Sequence, residues 1–191
     1  MGKIDSSGNY TKHPGATVIC PLITDVSAFH AQYDKFMKDN HHPYATLPLD
    51  SMHMTLYGLW SQKIVGKKEY ARLLKEHAGD MQHVQRLLQS MGSGVSMHVS
   101  SVYASGIALA PSTFNDGENV AGNETIVLNT FDHVRTVNKH MTLSYRYAEC
   151  DKSVVNHVAD IANRYLPEKL EFGVPVVCTF QDMKKYTPIP L

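Results

Sequence analysis

The apolar and polar positions of this chain fall into alternating runs that mark strands and helices in turn. Residues 15–24 (Gly-Ala-Thr-Val-Ile-Cys-Pro-Leu-Ile-Thr) are almost continuously apolar, the pattern of a buried strand. Asp25 or Ser27 then offers an N-cap, and Phe29, Tyr33, Phe36 and Met37 recur at helical spacing, which predicts a helix to about Lys38. Residues 40–50, rich in His and Pro, read as a loop, and a strand-forming run begins at His53. Residues 67–77 and 80–91 carry helical periodicity with a break near Gly79, and Gly92-Ser93-Gly94 ends the second helix. Residues 95–103 and 106–110 read as a hairpin. Residues 111–123 are predicted to be a loop, because Asn115-Asp116-Gly117 is a strong turn signal. Residues 124–137 fit helix or strand, with a lean to helix. A second strand is expected over 139–147, a helix over 151–165 stopped by Pro167, and a final strand over 170–180.

This order predicts an α+β fold. Two similar lobes with antiparallel strands would pack around a central cleft, with helices on the outside. Residues 1–191 are expected to form a single domain, with residues 1–14 as a polar N-terminal arm. Hydrophobic residues make up 43% and charged residues 19%, a globular rather than a disordered profile. Lys plus Arg and Asp plus Glu are both 18, so the formal charge is zero. A protein that grips long duplex DNA carries a basic excess, so any nucleic-acid ligand is expected to be short. Residues 1–10 show no signal-peptide apolar region and no run is long enough to span a membrane. Cys20, Cys150 and Cys178 form no CxxC pair, which suits reduced thiols. A cytoplasmic monomer is expected.

The chemistry concentrates in one repeated tetrapeptide. His-Met-Thr-Leu occurs at residues 53–56 and again at 140–143, once in each half of the chain, and each copy opens a strand-like run. In a strand, residues i and i+2 share a face. His53 and Thr55 therefore point together, as do His140 and Thr142. Two such strands side by side would present two imidazoles and two hydroxyls to one cleft. Histidine titrates near neutral pH and supplies either a general acid or a general base. Threonine hydroxyls can stabilise charge on non-bridging phosphate oxygens. The set suits hydrolysis of a phosphodiester with no metal or other cofactor, and near-symmetry leaves open which histidine is acid and which is base.

The same parity adds Tyr57, a candidate to stack on a base, Ser144, a candidate phosphate contact, and Arg146, a candidate for a second phosphate. Tyr10 and Lys12 of the arm are further candidates to fold over the cleft, whereas Trp60 reads as core. His41-His42 suggests a metal pair, yet no carboxylate or further His lies at ligand spacing. The remaining histidines, His133 among them, are scattered, and the basic run 63–75 reads as the wet face of a helix.

With its two HMT motifs in this order, the chain resembles the 2H phosphoesterase superfamily, defined by two H-x-[ST] motifs with hydrophobic neighbours. Pro14-Gly15-Ala16-Thr17-Val18-Ile19-Cys20 and Leu47-Pro48-Leu49-Asp50-Ser51-Met52-His53-Met54-Thr55 are similar to one branch with PG-x-T-V-x-C and LP-x-x-S-x-HMT segments. The resemblance implies a bilobal fold with His53, Thr55, His140 and Thr142 at the cleft. It implies action on a nucleotide, a cyclic dinucleotide or a short RNA: a 2′,3′-cyclic phosphate, a 2′-5′ link as in viral signal-degrading members, or a cyclic dinucleotide. A non-catalytic nucleotide-binding module is the rival from another class.

Overall fold

The computed structural model of the chain describes residues 3–131, 135–136 and 138–191. The first half runs β1 (Gly15–Pro21), α1 (Ser27–Asp39), β2 (Tyr44–Thr46), a 3₁₀ turn (Leu49–Ser51), β3 (His53–Ser61), α2 (Gln62–Val65), α3 (Lys67–Glu76) and α4 (Ala78–Met91). The second runs β4 (Val95–Tyr103), β5 (Gly106–Pro111), α5 (Phe114–Leu128), β6 (Arg135–Thr136), β7 (His140–Thr142), β8 (Ser144–Arg146) and α6 (Val154–Tyr165). Strands β9 (Lys169–Phe172), β10 (Val176–Phe180) and β11 (Tyr186–Pro188) close the chain.

The α+β expectation holds. The main sheet is antiparallel and curled, in the order β11-β10-β1-β3-β7-β5-β4-β9, with β6 also paired to β3. Its two ends form the two lobes, β11-β10-β1-β3 and β7-β5-β4-β9. They are continuous through a single register pair, Met54 with Met141, so the two motif strands lie side by side at the centre. Both methionines are fully buried, as are Val18, Leu56, Ile107 and Leu143. Helix α1 buries Phe29, Tyr33 and Met37; α4 buries Met81, Val84 and Leu88; α6 buries Val154, Val158 and Ala162. Each set repeats at three- and four-residue spacing, which covers a sheet face with one helix stripe. Helix α3 is different: it buries Tyr70 alone and pairs Arg72 with Glu69 and Glu76 in solvent.

Four departures have local causes. The loop expected over 111–123 is largely helix α5, because Thr113 and Asp116 form a capping box. The Thr113 hydroxyl accepts from the Asp116 amide at 3.1 Å and donates to its carboxylate at 2.6 Å. Asn115-Asp116-Gly117 is thereby a helix start, not a turn, and Val120 and Val127 anchor it. Of the lean to helix over 124–137, residues 124–128 are helical and Arg135–Thr136 is a strand. Residues 132–134, with His133, and 137 lie outside the described residues. The final strand over 170–180 divides at Gly173-Val174-Pro175, with β9 pairing to β4 in one lobe and β10 to β1 in the other. The second motif strand breaks at Leu143, after which β8 leaves the main sheet and pairs with β2.

Candidate active site

The Met54–Met141 register fixes the geometry of the four motif residues. In an antiparallel pair, a match at 54 and 141 sets His53 across from Thr142 and Thr55 across from His140. The methionines point into the core, so the histidines and threonines take the opposite face. All four line one cavity of about 270 Å³. Ala108 and Gly106 sit beside His140 and Thr142 on β5. A Cβ on Gly106 would come 2.9 Å from the Met141 carbonyl oxygen, so glycine lets the strands approach here.

The two imidazoles are held alike. His53 Nδ1 lies 2.7 Å from the Ser51 carbonyl oxygen, and His140 Nδ1 lies 2.6 Å from the Asn138 carbonyl oxygen. A carbonyl oxygen only accepts, so each Nδ1 carries a proton and donates. Nε2 is left on both rings as the atom that gains and loses a proton. The surroundings differ. His53 is 8% exposed and meets the Tyr186 ring edge to face, with centroids 4.2 Å apart, whereas His140 is partly open to solvent. Burial holds the His53 imidazole down at about 4 against the opposing pull of the Ser51 carbonyl, with smaller lowering contributions from His140 and Lys3. His53 is therefore neutral at pH 7, with a free lone pair on Nε2.

The rest of the lining was not legible from the motifs. Lys3 and His13 of the N-terminal arm enter it, with Tyr145, Phe180, Met183 and Tyr186. Lys3 Nζ donates to the Tyr145 hydroxyl at 3.2 Å and lies 4.6 Å from that ring's centroid. Tyr145 is hydrogen-bonded to the Thr142 side chain, and burial pushes its phenol up to about 12. His13 stacks on Phe180, and burial, then Lys3 and Lys63, holds its imidazole below the usual range. Among the described residues lining this cavity there is no carboxylate.

Two expected contacts, those of Tyr57 and Ser144, are corrected. Tyr57 does not face the cleft; it is 1% exposed and packed in the core. Val18 pairs with Tyr57 while Ile19 pairs with Thr55, so Leu56 is an extra residue in β3 and the bulge turns Tyr57 to the other face. Ser144 is also buried, its hydroxyl 2.5 Å from that of Tyr33, because parity does not carry across the break at Leu143. Arg146 is exposed and lines an adjoining hollow that shares His140, Thr142 and Lys3 with the cleft. Of the arm candidates, Tyr10 donates to the Ala45 and Thr46 carbonyls and Lys12 is exposed; neither lines the cleft. His42 packs on Phe36 beside Cys150, and Trp60, partly buried, stacks on His77 against the core but also lines the cleft. Among the described residues no three metal-ligating side chains cluster, and no helix is long and apolar enough to cross a membrane. A larger cavity of about 470 Å³ near Gln85, Pro175 and Leu191 contains no titratable side chain.

Solved structures share this fold. The conserved protein of unknown function ATU0111 from Agrobacterium tumefaciens str. C58 superposes with a TM-score of 0.76 at 19% identity, covering 100% of this chain and 90% of that one. E. coli LigT in apo form gives 0.52 at 13% identity, and LigT complexed with 3′-AMP gives 0.51 at 11%, each covering 94% of this chain and 96% of LigT. No curated protein matches the chain in sequence. Residues 3–103, more than half of the 191, match the 2H-phosphodiesterase family described as a domain of unknown function (DUF1868), and the chain belongs to that family within the 2H phosphoesterase superfamily.

Proposed function

We propose that the cleft hydrolyses a phosphodiester involving a 2′ oxygen of a small nucleotide, with His53 as general base and His140 as general acid. The observation that carries this reading is the matched tethering of both Nδ1 atoms, which leaves two Nε2 atoms for proton transfer at one cavity. The burial of His53 supports its assignment as base, because a neutral imidazole accepts a proton at once. His140, more open to solvent, takes the complementary role. Thr55 and Thr142 donate to the non-bridging oxygens, where charge builds as the leaving oxygen departs. Two imidazoles suffice for both proton transfers, so the reaction requires no metal ion.

With a 2′,3′-cyclic phosphate, His53 takes a proton from the attacking water and His140 protonates the ribose oxygen that leaves. With a 2′-5′ link, the neighbouring 3′-hydroxyl attacks, His53 takes its proton and His140 protonates the departing 5′ oxygen; this leaves a 2′,3′-cyclic phosphate, which water opens as above once the two imidazoles have exchanged their protons with solvent. The cavity volume favours a mononucleotide-sized group over a long polymer. LigT, which shares the fold, has been crystallised with ATP and with 3′-AMP, and adenine nucleotides head the list of ligands to try.

The test is a cleavage screen in chelator, with wild type beside the His53→Gln/His140→Gln double variant. The panel holds 2′,3′-cyclic nucleotides, 2′-5′ and 3′-5′ oligoadenylates and mixed-linkage cyclic dinucleotides. Cleavage of a 2′-linked member by wild type alone supports the proposal, and the preferred member separates RNA-end processing from signal destruction. Tight binding without cleavage across the panel would instead make the protein a nucleotide-binding module.

A further inference from the structure

The cleft is lined by several basic side chains. Its lining brings together Lys3, His13, His53 and His140, with no carboxylate among the described residues. Lys3 brings the one ammonium group among the described residues of this lining, and it makes no ion pair with a described carboxylate. The polar partner of its Nζ is the neutral Tyr145 hydroxyl. Burial, and then Lys63 nearby, lowers the Lys3 ammonium from its ordinary range. A half-buried cation among imidazoles, without a counter-charge among the described residues, is an unfavourable arrangement that a bound anion relieves. The Ser61 hydroxyl, on the same lining, is also buried without a partner among the described residues.

The arm is built to hold Lys3 in place. The Lys3 carbonyl accepts from the Thr11 amide at 3.0 Å, and Ile4 bridges to Tyr10. Asp5 accepts from the amides of Ser7 and Asn9, both at 2.9 Å, closing a tight turn in which Gly8 has φ +81°. A side chain at Gly8 would strike the Tyr147 ring, and Ile4 is 9% exposed. Tyr10, docked on the Ala45 and Thr46 carbonyls, meets Tyr145 edge to face. This small hairpin, ordered on its own contacts, delivers one ammonium beside the hydroxyl pair Tyr145–Thr142.

We propose that Lys3 is the phosphate-binding cation of the cleft, contacting an anionic phosphate oxygen beside Thr142 while Tyr145 holds both donors in place. Substrate recognition is then shared between the two motifs and the N-terminal arm, and the preferred ligand is a phosphate ester that carries full negative charge. The role in turnover rests on the hydrolase reading above; the role in anion binding does not.

The test titrates inorganic phosphate into the full chain at pH 7 by calorimetry, for wild type, Lys3→Met and Lys3→Arg, with thermal unfolding alongside. Loss of a charge-assisted hydrogen bond is expected to weaken phosphate binding on the order of 10–100-fold in Lys3→Met, with Lys3→Arg within a few-fold of wild type. If Lys3→Met loosens the arm, Lys3→Gln carries the same comparison with a neutral donor for Tyr145. Phosphate affinity equal to wild type in the folded neutral variant, or no phosphate binding by wild type, overturns the assignment. Lys3-dependent phosphate binding with no cleavage across the nucleotide panel would overturn the hydrolase reading and leave Lys3 assigned. Cleavage by wild type, with neither phosphate affinity nor kcat/KM altered by Lys3→Gln, would do the reverse.

Discussion

Acid should destabilise this protein through one residue in particular. His53 is 8% exposed and its imidazole is held at about 4, against about 6.5 for an unfolded histidine. The folded chain thus binds this proton less readily than the unfolded chain. At pH 7 both states are largely unprotonated at this position and the effect is absent. As pH falls through 6.5 the unfolded state begins to gain a proton that the folded state refuses, and the loss is complete only below about 4. At about 1.4 kcal/mol per tenfold change, the full loss is about 3 kcal/mol. His53→Gln removes the titrating group and leaves a side-chain amide to donate toward the Ser51 carbonyl. Urea unfolding of both proteins at pH 7, 5.5 and 4 isolates the contribution, since His13 and the carboxylates titrate alike in each. Between pH 7 and 4, wild type is expected to lose about 3 kcal/mol more than the variant, on the order of 1 M or more in urea midpoint. Parallel loss in the two proteins would mean that His53 is solvated in the folded state and that its burial is misjudged.

Other expectations follow from the same geometry. With His53 as base, the acidic limb of kcat/KM is expected near pH 4–5, well below an ordinary histidine. In kcat the limb moves upward, because a bound phosphate favours the imidazolium; a limb at 6.5 in both parameters would count against His53 as base. Thr55→Ala and Thr142→Ala are each expected to lower kcat by roughly 10–10³-fold with folding intact, read by steady-state kinetics. Tyr57→Ala is expected to cost about 3–5 kcal/mol in unfolding free energy while Tyr57→Phe keeps wild-type KM, since the ring is core rather than a base platform. Ser144→Ala is expected to cost about 1 kcal/mol, also without a change in KM, because its partner is the Tyr33 hydroxyl.

Local chemistry made much of the fold readable. The apolar run of β1 and the helical spacing of Phe29, Tyr33 and Met37 signal the elements that form, because burial and local period agree there. The doubled HMT could be read as a shared site because i and i+2 share a face within an unbroken strand. That rule stops where the strand stops being regular. The Leu56 bulge turned Tyr57 inward, and the break at Leu143 sent Ser144 to Tyr33 and brought Tyr145 to the cleft. Strands β2 and β8, three residues each, were too short to carry a period. Lys3 was invisible for a different reason: it reaches Tyr145 across 142 positions of sequence, and nothing in the polar arm marks that contact.

The measurement that bears most directly on two-histidine catalysis is kcat/KM for wild type, His53→Gln, His140→Gln and the double variant, on the panel member cleaved fastest. Each single variant is expected to lose about 10²–10⁴-fold, with far-UV circular dichroism at pH 7 unchanged. The double variant is expected to fall little further, because an acid and a base that act in one step fail as a unit. A single variant that keeps wild-type kcat/KM would contradict the mechanism, since one imidazole would then suffice.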